Sequence, residues 1–226
     1  YRLCFYKLFR FHVFAGGSMI TYVYVDGFNL YYGAVKDTPY KWLNILSLCQ
    51  QLLPKNTIIK IKYFTALMTA RPGDPDQPNR QQIYLRALKT IPNLEIIYGH
   101  FLQHPVKMPL VSSITGKIKY AKVMKTEEKG SDVNIAAHLI NDGYKGLYEV
   151  AVLITNDSDL VEPIKIVRNE LKLVVGVLNP HHGTPSHELR KYATFVKPIR
   201  QGVLAASQFP NRLTDATGTF HKPSRW

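Results

Sequence analysis

Cysteine is nearly absent from this chain of 226 residues: only Cys4 and Cys49 occur. Two thiols cannot build a disulfide framework, and these show no metal-ligand spacing, so the expected compartment is a reducing one, the cytoplasm. Acid is scarce as well. Sixteen Asp and Glu stand against 29 Lys and Arg, a net charge of +13. An excess of that sign attracts polyanions by Coulomb force and counterion release, which makes nucleic acid the first candidate partner. No apolar stretch approaches the roughly 18 residues of a bilayer span, so no membrane is expected. The chain also lacks a Walker loop, a GxGxxG after a strand and a Ser nucleophile elbow, which argues against nucleotide-cofactor and serine-hydrolase chemistry. Of the eight histidines, neither the set His181, His182 and His187 nor the pair His100 and His104 has a zinc-site spacing. What remains is a globular composition, 46% apolar and 20% charged, long enough for one substantial core.

Residues 1–18, YRLCFYKLFRFHVFAGGS, contain no Met and run through Gly-Gly-Ser into Met19, where a strand pattern begins. They read as an artificial leader, ahead of a main domain over 19–200 and a C-terminal extension over 201–226. A signal peptide is the rival, but Lys7, Arg10 and His12 interrupt any apolar stretch. The leader holds three of the cations and no acid, so without it the balance is still +10.

β-rich runs are expected at 19–25, 58–66, 94–102, 150–155 and 171–178, with helical periodicity between them. Leu43, Leu46 and Leu53 mark one helix, Ile83, Leu85 and Leu88 another, and Val133, Ala136, Ala137 and Ile140 a third. The strands are continuous apolar runs, as a sheet covered on both faces requires, so the class is α/β with a mainly parallel sheet. Residues 69–82 form a Pro-rich loop. Residues 103–125 read as an irregular hairpin turning near Thr115-Gly116.

Ligands of open parallel sheets sit beyond the carboxyl ends of the strands, so acids just after strands matter first. Asp26 follows TYVYV, and Asp157 and Asp159 follow AVLIT. A helix starting near Ser131 would put Asp132 in its first turn, looking into the same cleft. Four oxygen donors without His or Cys suit a hard divalent cation, Mg²⁺ or Mn²⁺, and the chemistry such an ion serves is phosphodiester hydrolysis. Each residue also has an ordinary role open to it. Asp26-Gly27 is a turn dipeptide, Asp159 with Glu162 a capping box, Asp157 or Ser158 a cap, Asp132 a partner of the helix dipole and Asn29 a local backbone binder.

The blocks VYVDGFNLYYG, EEKGSDVNIAAHLI and VAVLITNDSDLVEPI resemble the three signatures of the NYN domain, the DUF88 or LabA-like branch of the PIN-like nucleases. The resemblance spans about Met19 to Phe195. It implies a three-layer α/β/α sandwich whose acids bind Mg²⁺ or Mn²⁺ and cut RNA, with Asp26, Asp132, Asp157 and Asp159 at the acidic positions and Asn29 at the usual Asn.

Lys107, Lys117, Lys119, Lys122, Lys125 and Lys129 lead into the Asp132 helix, either as a solvated face or as a phosphate track. Of these, Lys117, Lys119, Lys122, Lys125 and Lys129 are the expected nucleic-acid contacts. Tyr31, Tyr32, Tyr40 and Trp42 either stack single-stranded bases or belong to the core. The expectation is a metal-dependent endoribonuclease acting on single-stranded or looped RNA, with room for a regulatory protein partner. An RNA-binding regulator that does not cut, or a DNA nuclease or phosphatase on the same acids, are the alternatives.

Overall fold

The computed structural model describes residues 18–71, 73–111 and 118–226. Residues 1–17 of the expected leader, the Thr115-Gly116 turn and Lys117 lie outside the described residues. In chain order the elements begin with β1 (Met19–Asp26) and α1 (Gly27–Leu30), which runs on as a π-helical turn over Tyr31–Val35. α2 (Ile45–Leu52), β2 (Asn56–Thr65), α3 (Gln77–Lys89) and β3 (Leu94–Tyr98) follow. Next come β4 (His100–Pro109), β5 (Tyr120–Lys129), α4 (Ser131–Tyr144) and β6 (Val150–Ile154). A 3-10 turn over Ser158–Leu160 leads into α5 (Val161–Asn169), then β7 (Val174–Asn179), α6 (His187–Tyr192) and β8 (Phe195–Pro198). The chain closes with α7 (Gln201–Ala206), β9 (Arg212–Asp215) and β10 (Gly218–His221).

Six strands form one sheet in the order β3-β2-β1-β6-β7-β8, each neighbouring pair parallel. The fold is therefore α/β, with helices on both faces of the sheet. Side-chain alternation sorts the apolar strand residues between two layers. Val23, Val25, Ile61, Val152 and Ile154 pack with Leu48 and Leu88 of α2 and α3. Tyr24, Phe64, Leu153 and Val177 pack with Ile135, Leu139 and Ile164 of α4 and α5. Each such aliphatic burial contributes about 1.5–3 kcal/mol, and a strand apolar on both faces, like VAVLI, gains it twice per residue pair. Chain order reverses between β1 and β6, so the sheet's switch point lies where Asp26 and Asp157 leave it.

Several details differ from the sequence expectation. The run at 94–102 breaks at Gly99: β3 stays in the sheet, while β4 leaves it and pairs with β5 as a separate, regular two-stranded ribbon. β8 adds a sixth strand that is too short to show a period. The buried face of α4 carries Ile135, Leu139 and Asp142, while Val133 is 72% exposed. That rotation is set by a polar anchor, because Asp142 Oδ2 accepts from Lys62 Nζ at 2.6 Å and from the Tyr24 hydroxyl at 2.8 Å. Residues after 200 also fold against the body, and Leu204, Phe209 and Phe220 join the α2–α3 layer. Among the described residues no helix is long and apolar enough to cross a membrane.

Candidate active site

The two-residue period of β1 sets Asp26 on the same side as Tyr24, toward α4. Its side chain caps α1: Oδ1 accepts from the Asn29 N–H at 2.9 Å and Oδ2 from the Thr155 hydroxyl at 3.3 Å. The next residue must be glycine for steric reasons, since a Cβ on Gly27 would sit 2.7 Å from the Phe64 carbonyl oxygen. Asp26 is 6% exposed. Burial pushes its carboxyl up to about 6, against the opposing Asn29 hydrogen bond and with the charges of Asp132 and Asp157 adding to the rise.

Thr155 links the two strand ends. Its hydroxyl donates to Asp26 and accepts from the Asp157 N–H at 3.0 Å. Asp157 in turn caps the 3-10 turn, its Oδ1 accepting from the Asp159 N–H at 2.9 Å. The capping box expected of Asp159 and Glu162 is not the one used, because Glu162 pairs with Lys165 at 3.0 Å. Asp159 is exposed.

Asp132 stands in the first turn of α4, behind Gly130, whose φ of 99° is a left-handed conformation that glycine adopts without strain. It is half-buried, and burial raises its carboxyl above the usual range, followed by the charges of Asp157, Glu128 and Asp159. Glu128 joins the group from β5 and holds the helix start, its Oε1 accepting from the Ser131 hydroxyl at 2.8 Å and the Ser131 N–H at 3.2 Å. Acids from four segments thus stand within electrostatic reach of one another. Among the described residues none of them pairs with a Lys or Arg, despite the basic excess. Also among the described residues, no group of three or more His, Cys, Asp or Glu is arranged to hold a metal ion as it stands.

Asn29 does not face Asp26 with its side chain. Its Oδ1 accepts from the Asn156 N–H at 2.9 Å and lies 3.1 Å from His181 Nε2. A backbone N–H can only donate, so the Asn29 oxygen is the acceptor and His181 carries its proton on Nε2. No sequence motif marks Thr155, Asn156 or Glu128, and His181 stands out there only in a histidine set without zinc spacing. Thr155 and His181 both follow strands of the switch-point sheet, the same positional rule that selects Asp26 and Asp157.

The lysines divide between two faces of the ribbon. Strict pairing from His100↔Lys129 to Pro109↔Tyr120 sets Lys107 opposite Lys122, on the face that carries Phe101 and Glu128 at the base. Phe101 stacks edge-on with Phe28, two residues after Asp26, at 5.6 Å. Lys125 and Lys129 lie on the opposite face, both paired with Glu127. Lys119 precedes β5, its carbonyl accepting from the Leu110 N–H at 2.8 Å. The lysine track of the sequence is therefore split, and only part of it shares a face with the acids.

An open parallel sheet with carboxylates gathered at its switch point and helices on both faces is the architecture of PIN-like domains. The sequence profile of the NYN domain matches residues 20–199, and the chain belongs to that family. The chain is 31% identical over 236 aligned positions to 6-hydroxy-3-succinoylpyridine 3-monooxygenase HspA of Pseudomonas putida, covering 91% of this chain and 75% of that protein. Its fold is similar to the crystal structure of VPA0982, a protein of unknown function from Vibrio parahaemolyticus, at a TM-score of 0.54 and 14% identity. That match covers 83% of this chain and 97% of the other.

Proposed function

We propose that the chain is a divalent-metal-dependent ribonuclease acting on single-stranded or looped RNA in the cytoplasm, its nuclease domain spanning 19–200 and its C-terminal extension 201–226. The observation that carries this reading is Asp26: a buried carboxyl raised to about 6, flanked by Asp132 and Asp157 and, among the described residues, paired with no Lys or Arg. Repelling acids of this kind cost free energy that a bound cation offsets. The donor set is all oxygen and fits Mg²⁺ or Mn²⁺, which would neutralise charge on a phosphodiester and favour attack by water. Asp26, Asp132 and Asp157 would hold the ion and Asp159 would assist. The chain's own part is then positional. Thr155 fixes the spacing of Asp26 and Asp157, Asn29 pins the loop that carries Asp157, and the His181 N–H holds the Asn29 oxygen in place. Lys107 and Lys122 would draw the strand along the ribbon.

The test is incubation of the purified protein with labelled RNA and DNA of equal sequence, with Mg²⁺, Mn²⁺ or EDTA. Metal-dependent RNA cleavage that Asp157→Asn abolishes is expected. Binding without cleavage would return the chain to the RNA-binding regulator.

A second reading has an observation of its own. The 31% identical relative bears the name of a monooxygenase acting on 6-hydroxy-3-succinoylpyridine, and this chain has a cavity of about 370 Å³ with aromatic walls. Oxygen uptake that depends on that compound and on a two-electron donor, and that persists in Asp157→Asn, would favour this reading.

A further inference from the structure

The cavity lies on the far side of the Asp26 turn, between α1, the end of β2 and α3. Gly27 and Phe28 form the wall nearest the acids, and Tyr31, Tyr63, Tyr84 and Trp226 supply flat aromatic surface. At about 370 Å³ it falls at the lower end of small-molecule pockets, roughly 300–1,000 Å³. Its floor is held rigidly. The Tyr84 hydroxyl donates to the Leu43 carbonyl at 2.9 Å, and Gln81 is bonded on both sides, to the Met68 N–H at 2.8 Å and the Ala66 carbonyl at 2.9 Å. A preformed wall loses little entropy when a ligand enters.

The charge of the lining is not that of a packing defect. Arg80 is taken up by Asp74, but Lys36, Lys41 and Arg225 face only Asp37 in addition. Among the described residues, Lys41 and Arg225 have no ion-pair partner, while Lys36 Nζ sits 5.3 Å over the Tyr32 ring. Among the described residues the buried Trp226 Nε1 meets no acceptor, a polar atom left without a partner in the cavity wall. Aromatic walls bind flat rings by stacking, and unpaired cations at the rim bind an anion attached to the ring.

We propose that this cavity binds a planar heteroaromatic ring carrying an anionic group, of the size of a single nucleotide. Two sources share that chemistry. One is a nucleotide of a strand lying at the acids, a source that rests on the ribonuclease reading. The other is a free aromatic acid.

The chain has two tryptophans, Trp42 and Trp226, with ring centroids 6.4 Å apart, so its own fluorescence reports on the cavity. The experiment titrates the protein in EDTA with UMP, AMP and pyridine-3-carboxylate and reads the quenching of that emission. EDTA removes cleavage from the measurement, so failure of the nuclease reading and failure of the cavity proposal give separate signals. Saturable quenching is expected, weakened about tenfold by each of Lys36→Gln and Arg225→Gln, exposed side chains whose loss leaves the fold intact. Quenching by the nucleotides assigns the strand source, and quenching by pyridine-3-carboxylate alone assigns the free acid. Absence of saturation with all three ligands overturns the proposal. So does wild-type affinity in the Lys36→Gln/Arg225→Gln double variant and in Tyr31→Ala, provided both melt as wild type.

Discussion

One oxygen, Asn29 Oδ1, stands 2.9 Å from the Asn156 nitrogen and 3.1 Å from His181 Nε2, so the segments after β1, β6 and β7 meet on a single acceptor. Asn29→Ala should strand both donors and lower stability by about 1–3 kcal/mol. Asn29→Asp keeps an acceptor but adds a charge near Asp26, so its deficit should be small at pH 5 and grow toward pH 8. Denaturant melts at the two pH values check this. Equal deficits for Asp and Ala at both would show that the acceptor is not what matters.

Asp26 predicts a pH dependence with a definite sign. Its folded-state value of about 6 lies above the ordinary 3.8, so folding favours the protonated form. Stability from this group is complete below pH 3.8 and is lost as pH rises through 6. Asp26→Asn, which can still cap α1, should match wild type at pH 4. At pH 8 without metal it should be more stable, by at most about 3 kcal/mol. Mg²⁺ should stabilise wild type at pH 8 and the variant less. A wild-type melting temperature that ignores Mg²⁺ at pH 8 would count against the cation site.

The ribbon separates the lysines by face. If RNA follows the face shared with the acids, Lys107→Gln/Lys122→Gln should weaken RNA binding and lower its salt slope by about 0.7 per lost contact. Lys125→Gln/Lys129→Gln, whose partners are both Glu127, should change the slope little. Filter binding across a salt series distinguishes the pairs, and the reverse ranking would move the strand to the other face.

Lys62 and Asp142 form an ion pair in the interior, with side-chain exposures of 9% and 4%. Lys62→Met should destabilise by about 3–5 kcal/mol, because it strands the carboxylate under α4. Lys62→Met/Asp142→Leu should recover most of that loss. Thermal or urea melts of the single and double variants measure it, and additive losses would refute the coupling.

The sequence made the middle of the sheet legible because VAVLI and TYVYV are apolar without interruption, which only a doubly covered strand requires. The start of α4 was legible from Gly-Ser-Asp followed by a helical period. The face of that helix was misread, since Asp142 was not expected to point inward and the Lys62 that receives it lies 80 residues away. His181 was passed over for a related reason. Its partner Asn29 is 152 residues distant, and no local pattern encodes such a contact. The cavity, too, is assembled from segments as far apart as Gly27 and Trp226, and its aromatics read equally well as core.

Asp26 and the Thr155 that leads to Asp157 leave adjacent strands whose separation, about 4.8 Å, is set by a ladder of backbone hydrogen bonds in the middle of the sheet. Asp132 has no such tether: it rides on a helix that starts behind Gly130. The acids therefore work like a caliper with one fixed jaw and one adjustable jaw. Whatever enters the gap is gauged by the sheet and gripped by the helix, so changes at Gly130 should alter how tightly an occupant is held while leaving its position along the sheet untouched.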